Sequence, residues 1–304
     1  MLDFPEIINF PLAEWINIVV DWLTVTLAPL FDVITVAIRT PLVYIERFLW
    51  LIPWWVLVLI LAGVAWKTAK HWVAMVTIIG MVFIGLVGLW DHTMTTLAII
   101  VTSVFVSVLI GVPLGIIAAK NDRFEQFIRP VLDAMQTMPS FVYLIPAVFF
   151  FGLGKVPAVV ATFIYAVPPS IRLTNLGIRQ VSAETVEAGK AFGCTGAQLL
   201  FKIQLPLARP NIMAGVNQTV MLALAMVVIA SMIGASGLGL EVLRGIERLD
   251  VGRGFLAGFA IVIVAIIIDR ISQSFGKTGN TRKKPPFSIQ GTRRCFPLLF
   301  TPEL

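Results

Sequence analysis

The feature that most limits how this chain can fold is a succession of long apolar stretches with almost no charge inside them. About 20 helical residues cross the hydrocarbon core of a bilayer, where helices and closed barrels are the structures that satisfy every backbone hydrogen bond. Of the 304 residues, 58% are hydrophobic and 13% are charged, whereas about a quarter of a soluble domain is charged. The sequence therefore predicts an all-α, polytopic membrane helix bundle and excludes a soluble domain.

Seven spans account for the apolar stretches, and tryptophans lie at or near several of their ends, as the membrane interface favours. The predicted spans are residues 50–66, 72–89, 94–119, 131–152, 156–173, 210–234 and 253–270. We assign them to one membrane domain, residues 49–275. Residues 276–304 are polar, basic and proline-containing, and we expect them to form a cytoplasmic tail without a fold.

The first 48 residues are expected to form an amphipathic region that lies in the membrane interface. Residues 15–38 are long enough to span the bilayer, but Asp21 and Asp32 lie inside this run, and a carboxylate at bilayer depth is costly. A helix in the interface, with Trp15 and Trp22 at the level of the headgroups, avoids that cost. A span over residues 15–38 stays open as the alternative.

A polar interruption between spans, residues 182–208, contains the signals of a short helix followed by a turn. Ser182 is placed to cap the helix, and Glu184 and Glu187 lie in its early turns, where the helix dipole favours carboxylates. Gly193 then permits a tight bend. The pattern predicts that the first helix ends at about Gly193.

A second helix is predicted directly after this bend. Thr195, followed three residues later by Gln198, is a capping-box pattern, which marks a helix start. Pro206 should end this helix at about Gln204, because proline lacks a backbone N–H and clashes with the preceding turn. Both short helices carry more apolar surface than a solvated loop needs, which predicts that the hairpin docks against a partner.

The 182–208 hairpin resembles the EAA loop of ABC importer permeases, whose pattern is E-A-A-x3-G-x9-I-x-L-P. The spacing fits at every position of the pattern, and these positions are Glu187, Ala188, Gly189, Gly193, Ile203, Leu205 and Pro206. Gly189 departs from the commonest residue, alanine, but keeps the side chain small. In that family the loop forms a coupling helix that sits in a groove of the cytoplasmic ATPase subunit, and the resemblance implies the same role here.

The positive-inside rule agrees with a cytoplasmic position for the hairpin. Connections on the same side as residues 182–208 hold most of the Lys and Arg residues, and two of the opposite connections are short and nearly uncharged. The exception is the loop of residues 236–253, whose three arginines are balanced by three carboxylates.

A wider resemblance covers roughly residues 45–275 and includes NQTVMLALAMVVIASMIG, which begins at Asn217. It is to the permease subunit of glycine betaine and proline betaine importers. It implies the type I ABC importer permease architecture (MetI-like) and a multi-pass position in the bacterial cytoplasmic membrane. The implied partners are a second copy of the permease, two copies of an ABC ATPase subunit, an extracytoplasmic substrate-binding protein and the lipid bilayer.

Polar and aromatic side chains within or beside the spans are candidates for a translocation path, because such residues usually face a bundle interior or a pathway. The candidates are Asp133, Gln136, Thr137, Phe141, Tyr143, Asn217 and Gln218. For Asp133, the alternative is a carboxylate that satisfies backbone donors in the first turn of a helix. For Asn217 and Gln218, the alternative is hydrogen bonding between helices without contact to a substrate.

The sequence predicts no catalytic, cofactor or metal site. Its two histidines, His71 and His92, are far apart in the chain, and no cluster of nucleophilic or metal-ligating residues accompanies them. Any ATP should therefore be hydrolysed by a partner. The net charge of +6 comes from basic residues that flank apolar spans, which argues against a nucleic-acid partner.

Two alternative functions stay open. The first is an ABC permease for another solute, such as choline, carnitine or an amino acid. The second is a secondary transporter driven by an ion gradient, against which stands the lack of an inverted repeat or of matching broken helices. A membrane enzyme would need clustered ionisable residues, and a passive scaffold would leave the spacing of the hairpin motif unexplained.

Overall fold

The computed structural model describes residues 11–68 and 71–276, which form helices and no β-strand. The predicted tail, residues 277–304, lies outside the described residues. The helices are α1 (Leu12–Thr26), α2 (Ala28–Leu51), α3 (Trp54–Thr68), α4 (His71–Leu86), α5 (Trp90–Lys120), α6 (Asp122–Thr137), α7 (Leu144–Phe151), α8 (Lys155–Arg179), α9 (Ala183–Ala191), α10 (Gly196–Gln198), α11 (Leu205–Ala230), α12 (Leu238–Glu247) and α13 (Val251–Gly276).

Five of the described helical segments are long and apolar enough to cross a membrane, and α6 with α7 would make a sixth as a bent pair. Helices α3 and α4 are apolar but shorter, with 15 and 16 residues. Six of the seven predicted spans each fall largely within one helix, namely α3, α4, α5, α8, α11 and α13. The all-α membrane bundle predicted from the sequence is confirmed.

The seventh predicted span, residues 131–152, is not a single helix. Helix α6 ends at Thr137, a short 3₁₀ turn follows, and α7 leaves at an angle of 110° to α6. The cause is local: Met138 precedes Pro139, and the proline ring forces its neighbour out of the helical region, so Met138 is extended, with φ −67° and ψ 137°.

The N-terminal region contains two helices that meet at Leu27. Helix α1 has no buried residue, and an interfacial position for it stays a prediction. Helix α2 packs on the bundle through Ile38 and Leu42, which are 7% and 2% exposed. Because α2 extends from Ala28 to Leu51, it crosses the boundary that the sequence suggests between residues 48 and 49.

The centre of the bundle is α8, which lies between α5 and α11. Small residues permit this close packing. A Cβ added to Gly111 of α5 would lie 2.8 Å from the Cβ of Ser170, and one added to Gly115 would lie 2.6 Å from the Cβ of Thr174. These contacts fix α5 and α8 side by side, with their ends at the same two faces of the bundle.

The two faces can be identified from backbone contacts. At one face, the Arg179 side chain at the end of α8 donates a 2.8 Å hydrogen bond to the carbonyl of Ala118 near the end of α5, and the 182–208 hairpin follows directly. At the opposite face, the N–H of Gly154 donates to the carbonyl of Ile233 at 3.0 Å. The α2–α3 and α4–α5 connections and α12 also lie at this opposite face.

Candidate functional site

The 182–208 hairpin begins with a short helix, as the sequence predicts. Helix α9 starts at Ala183, and Ser182 occupies its N-cap position. The Ser182 hydroxyl makes no hydrogen bond to the backbone of the first turn and lies 2.6 Å from the hydroxyl of Thr185. The cap position is confirmed, whereas the capping hydrogen bond is not formed.

Gly193 makes the turn between the two arms of the hairpin. Its φ is +77°, in the left-handed region that glycine enters without a Cβ penalty. A Cβ added there would meet no heavy atom within 4 Å, so backbone conformation, not space, favours glycine. The N–H of Cys194 donates to the carbonyl of Gly189 at 3.1 Å and closes the end of α9.

The second arm starts with the predicted capping box. The Thr195 hydroxyl accepts a 3.4 Å hydrogen bond from the N–H of Gln198, and the Gln198 side chain accepts a 2.9 Å bond from the N–H of Thr195. These reciprocal bonds satisfy two donors that a helix start leaves free. The start of the second helix at Thr195 is therefore confirmed in detail.

The prediction that Pro206 ends this helix is wrong. Residues Leu199–Gln204 form a π-helical turn, in which the N–H of Leu205 donates to the carbonyl of Leu200, five residues earlier. Helix α11 follows at once, with Pro206 in its first turn. The helix thus continues through Pro206, whose missing N–H leaves one hydrogen bond of the helix unmade. The chain is consequently helical from Gly196 to Ile233.

The two arms of the hairpin pack on each other at Gly189. This glycine is buried, and a Cβ added to it would lie 2.7 Å from Cδ1 of Ile203 and 2.9 Å from Cδ1 of Leu199. The small residue lets α9 lie directly on the π-helical turn. Two parts of the motif that are far apart in sequence, Gly189 and Ile203, are thus in contact.

The hairpin is fixed to the bundle by an apolar cluster. Leu200, which is 5% exposed, packs with Ile178 of α8 and Ala208 of α11. Partly buried Ile116 of α5 adds to this cluster. The hairpin is therefore in direct contact with three of the long helices.

The outer surface of the hairpin exposes both charged and apolar groups. Glu187 and Ala188 are exposed, and Phe192 and Phe201 are 89% and 66% exposed. Large apolar side chains left uncovered beside charged ones are typical of a surface that a partner completes. This surface is the candidate docking site.

Asp133 of the candidate path lies in the fourth turn of α6 and forms a 2.6 Å ion pair with Arg172 of α8. The alternative of a carboxylate in a first helical turn is therefore wrong. Both side chains are partly exposed, at 58% for Asp133 and 37% for Arg172. A charged pair that stays accessible within a membrane bundle fits a wall of a polar cavity.

The next path candidates along the chain differ in accessibility. Gln136, Thr137 and Phe141 are exposed around the bend between α6 and α7. Tyr143 is buried, and its hydroxyl donates to the backbone carbonyl of Met135. Tyr143 therefore holds the bend in place, whereas the three exposed side chains are free to line a cavity.

Asn217 takes part in hydrogen bonds between α11 and α13. Its amide donates to the carboxylate of Asp269 at 3.4 Å and accepts from the Ser272 hydroxyl. Gln273 also donates to Asp269, at 2.8 Å. The interhelical bonding considered for Asn217 is thus present, and its neighbour Gln218 is exposed. The path candidates fall into two groups, one on α6 and the 3₁₀ turn that follows it and one on α11.

The structure contains a cluster of charged side chains, at the face opposite the hairpin, that the sequence analysis did not predict. Glu241 of α12 is buried, with 3% of its side chain exposed, and pairs with Arg244 and Arg253 at 2.6 Å each. His92 Nε2 of α5 lies 3.5 Å from the same carboxylate. We call these four residues the Glu241 cluster. The balanced charges of the 236–253 loop are the sequence signal for it.

The pKa of Glu241 is lowered from its usual value. Burial alone raises the pKa of a carboxyl group, but hydrogen bonds from Arg253 and Arg244 outweigh burial, and the charge of His92 acts in the same direction. Glu241 is therefore a stable carboxylate that joins the ends of three helices, α5, α12 and α13.

Comparison with known proteins identifies the family. Residues 111–277 match the family described as "Binding-protein-dependent transport system inner membrane component". The chain is 50% identical over 266 residues to the glycine betaine transport system permease protein OpuAB of Bacillus subtilis, an alignment that covers 88% of this chain and 94% of OpuAB. It is 48% identical over 276 residues to the glycine betaine/proline betaine transport system permease protein ProW of Escherichia coli, with 90% and 77% covered.

A third relative, the glycine betaine/carnitine transport permease protein GbuB of Listeria monocytogenes, is 50% identical over 280 residues, which cover 90% of this chain and 98% of GbuB. Among solved structures, an inward-facing conformation of the MetNI methionine ABC transporter superposes with a TM-score of 0.54. The superposition covers 59% of this chain and 92% of the MetNI chain, and the two sequences are 21% identical. This likeness therefore concerns the fold alone. The predicted type I importer permease architecture is confirmed.

An apolar helix bundle with five helices long enough to cross a membrane, among the described residues, is the architecture of a multi-pass membrane protein. The chain belongs to the family of binding-protein-dependent transport system inner membrane components. Its relatives are transport permeases. The predicted location in the inner membrane is confirmed by this membership.

Proposed function

We propose that this chain is the transmembrane permease subunit of an ATP-driven importer for glycine betaine and proline betaine. The observation that carries the proposal is the extent of identity to relatives named for these solutes, which is about half of all positions over nine-tenths of the chain. The hairpin supports it independently, because two distant residues of the motif, Gly189 and Ile203, pack against each other across it.

The hairpin is the docking site for a separate ATPase subunit in this proposal. Phe192 and Phe201 supply apolar anchors, and Glu187 supplies a charge at the edge of the same surface. A homodimer of this chain would present two hairpins to two ATPase copies, and ATP would be hydrolysed there. The opposite face would receive an extracytoplasmic binding protein that delivers the solute.

Transport would follow from displacement of the hairpin. When the ATPase copies close on ATP, the two hairpins move together, and the cluster around Leu200 passes this motion to α5, α8 and α11. The helical segment from Gly196 to Ile233, which contains α11, is continuous, so it would move as one lever. The cavity would then switch between inward-facing and outward-facing states.

Asp133, with its partner Arg172, is proposed to line the inner part of the path. Both charges are partly exposed, so a zwitterionic solute would find a partner for each end. Gln136, Thr137 and Phe141 extend the same wall, and Tyr143 supports it from behind. Asn217 and Gln218 of α11 are proposed as a second group that faces the path.

A second solute, carnitine, is favoured by one observation: GbuB is as similar to this chain as OpuAB is, and it is named for both glycine betaine and carnitine. Uptake assays with each labelled solute and its cognate binding protein would separate the candidates. Saturable uptake of carnitine without uptake of either betaine would replace the proposed substrate.

The proposal is tested first by affinity purification of the tagged chain in mild detergent. We expect a stoichiometric ATPase subunit to co-purify and to be lost with Glu187→Arg, while Glu184→Arg on the same short helix leaves it bound. The variants should insert into the membrane equally, since both side chains are exposed. Recovery of the intact wild-type chain alone would contradict the importer proposal.

A further inference from the structure

A cavity of about 550 Å³ opens at the face opposite the hairpin and is lined by three tryptophans, Trp50, Trp54 and Trp90, together with Asp91. We call it the tryptophan pocket. It lies where α2 passes into α3 and α4 passes into α5. Its volume is within the range of small-molecule sites, about 300–1,000 Å³.

The lining combines three aromatic rings and one carboxylate with seven apolar residues, Ile52, Pro53, Met81, Val82, Gly85, Leu86 and Met94. Indole faces attract cations more strongly than other aromatic rings do, and several rings around one centre form the cage that recognises quaternary ammonium groups. Asp91 adds a negative charge, and no Lys or Arg belongs to the lining. Among the described residues, Asp91 forms no ion pair, so its charge stays available.

Tryptophans at helix ends also occur as membrane anchors, and an anchor requires no shared cavity. Here three indoles from three different helices line one cavity with a carboxylate. Trp72, at the other end of α4, and Trp66 are exposed without belonging to that lining. Exposure does not distinguish the two sets, since Trp50 and Trp54 are 60% and 57% exposed and Trp72 is 61% exposed; the shared cavity with Asp91 does.

We propose that the tryptophan pocket is a binding site for a trimethylammonium group. The pocket lies on α2 to α5, apart from the hairpin and from the path candidates of α6, α8 and α11. The group would belong to a free solute such as choline or a betaine, or to a lipid headgroup. The site rests on geometry, and the choice of a betaine as the free solute rests on the proposed function.

The test uses the full chain in nanodiscs of phosphatidylglycerol and phosphatidylethanolamine, neither of which carries trimethylammonium. Tryptophan fluorescence is titrated with choline and, separately, with its uncharged analogue in which tert-butyl replaces trimethylammonium. We expect choline to bind about tenfold more tightly than the analogue, because a cage of indoles favours the charge. Equal affinities would overturn the proposal.

Variants assign the signal to the pocket. Trp54→Leu and Asp91→Asn should each weaken choline binding about fivefold, the loss typical of one cation–π or charge contact. Trp72→Leu is the matched control, and it should leave the affinity unchanged. Gly85→Leu should abolish binding, because a Cβ at Gly85 already lies 3.9 Å from the Trp90 ring and a longer side chain fills the cavity. An unchanged affinity in Trp54→Leu would reject the site.

Nanodiscs that contain phosphatidylcholine distinguish the two sources of the ligand. Competition by this lipid assigns the pocket to a headgroup, and undiminished choline binding assigns it to a free solute. The assay contains neither an ATPase nor a binding protein. It therefore succeeds or fails independently of betaine uptake in cells, which tests the proposed function.

Discussion

Gly189 and Ile203 are in direct contact: a Cβ on Gly189 would lie 2.7 Å from Cδ1 of Ile203. Such a Cβ would clash with Cδ1 of Ile203 and Cδ1 of Leu199, and both atoms are the far ends of flexible side chains. The space available at residue 189 is therefore enough for a methyl group after a small shift, but not for a branched side chain. The absent side chain of Gly189 and the large side chain of Ile203 are therefore complementary in size.

Gly189→Ala should preserve coupling, because alanine is the better helix former by about 1 kcal/mol and the neighbouring side-chain ends can move. Gly189→Val should separate α9 from the π-helical turn and lower ATPase binding. Co-purification of the ATPase subunit measures both. Loss of binding in Gly189→Ala would contradict the size argument.

Substitution of Gly193 should act through backbone conformation. A β-branched residue in the left-handed region costs at least about 1–2 kcal/mol, so Gly193→Val should distort the turn and uncouple ATP hydrolysis from uptake. Gly193→Asn is the matched control, because asparagine tolerates this region. The ratio of solute taken up to ATP hydrolysed in proteoliposomes is the measurement. Equal ratios in both variants and in the wild type would show that the turn is not required.

The ion pair of Asp133 and Arg172 gives a prediction about the path. Since both groups are partly exposed, the pair should contribute no more than about 1 kcal/mol to stability. Asp133→Asn should therefore leave the melting temperature nearly unchanged while it lowers the maximal uptake rate several-fold.

A second pair, Asp122 with Arg179, serves as the control for Asp133. Its atoms are 2.7 Å apart, with Asp122 at 77% and Arg179 at 37% exposure, and Asp122 lies in the first turn of the same helix. Asp122→Asn should leave uptake unchanged. If the two variants lower uptake equally, the Asp133 pair has no special role in the path.

The Glu241 cluster predicts how the face opposite the hairpin responds to acid. Because the folded-state pKa of Glu241 is lowered, its contribution to stability is complete above the unfolded value of about 4.3 and is lost as the pH falls through the lower folded value. After correction for the intrinsic rate, hydrogen exchange of α12 should therefore be faster below about pH 4 than at about pH 5.

Glu241→Gln removes the carboxylate that balances two arginines. Because Arg244 and Arg253 are 40% and 35% exposed, the cost should be below that of a fully buried pair, which is about 3–5 kcal/mol. Exchange in α12 should then be fast at neutral pH as well. Glu247→Gln, an exposed substitution on the same helix, should behave like the wild type. Wild-type protection of α12 in Glu241→Gln would mean that other contacts hold the helix.

Much of the fold could be predicted because membrane spans and helix caps are local signals. The capping box of Thr195 and Gln198 forms as its spacing indicates. The effect of a proline was harder to predict from the sequence. Pro139 breaks a predicted span, whereas Pro206 does not end a predicted helix. The difference depends on whether a wider turn precedes the proline, and that turn is stabilised by tertiary packing of Leu199 and Leu200.

The parts of the site that escaped prediction are contacts between distant residues. The sequence indicated Asp133 as polar but not its partner Arg172, 39 positions later. The sequence also showed that the charges of the 236–253 loop balance, but it did not indicate that Glu241 is buried and pairs with Arg244 and Arg253. Taken singly, the tryptophans at residues 50, 54 and 90 indicate the membrane interface; the shared pocket forms because α2, α3 and α5 bring them together against α4.

The π-helical turn makes the hairpin arm and α11 one helix of 38 residues, from Gly196 to Ile233. At 1.5 Å per residue this is about 57 Å, longer than a bilayer with its headgroups. Each residue added or removed within it would turn one end against the other by about 100°. An insertion or deletion would therefore change the direction of the exposed Phe201 side chain relative to the carbonyl of Ile233, which accepts from Gly154. We expect length variation among homologous chains to be confined to the connections between helices.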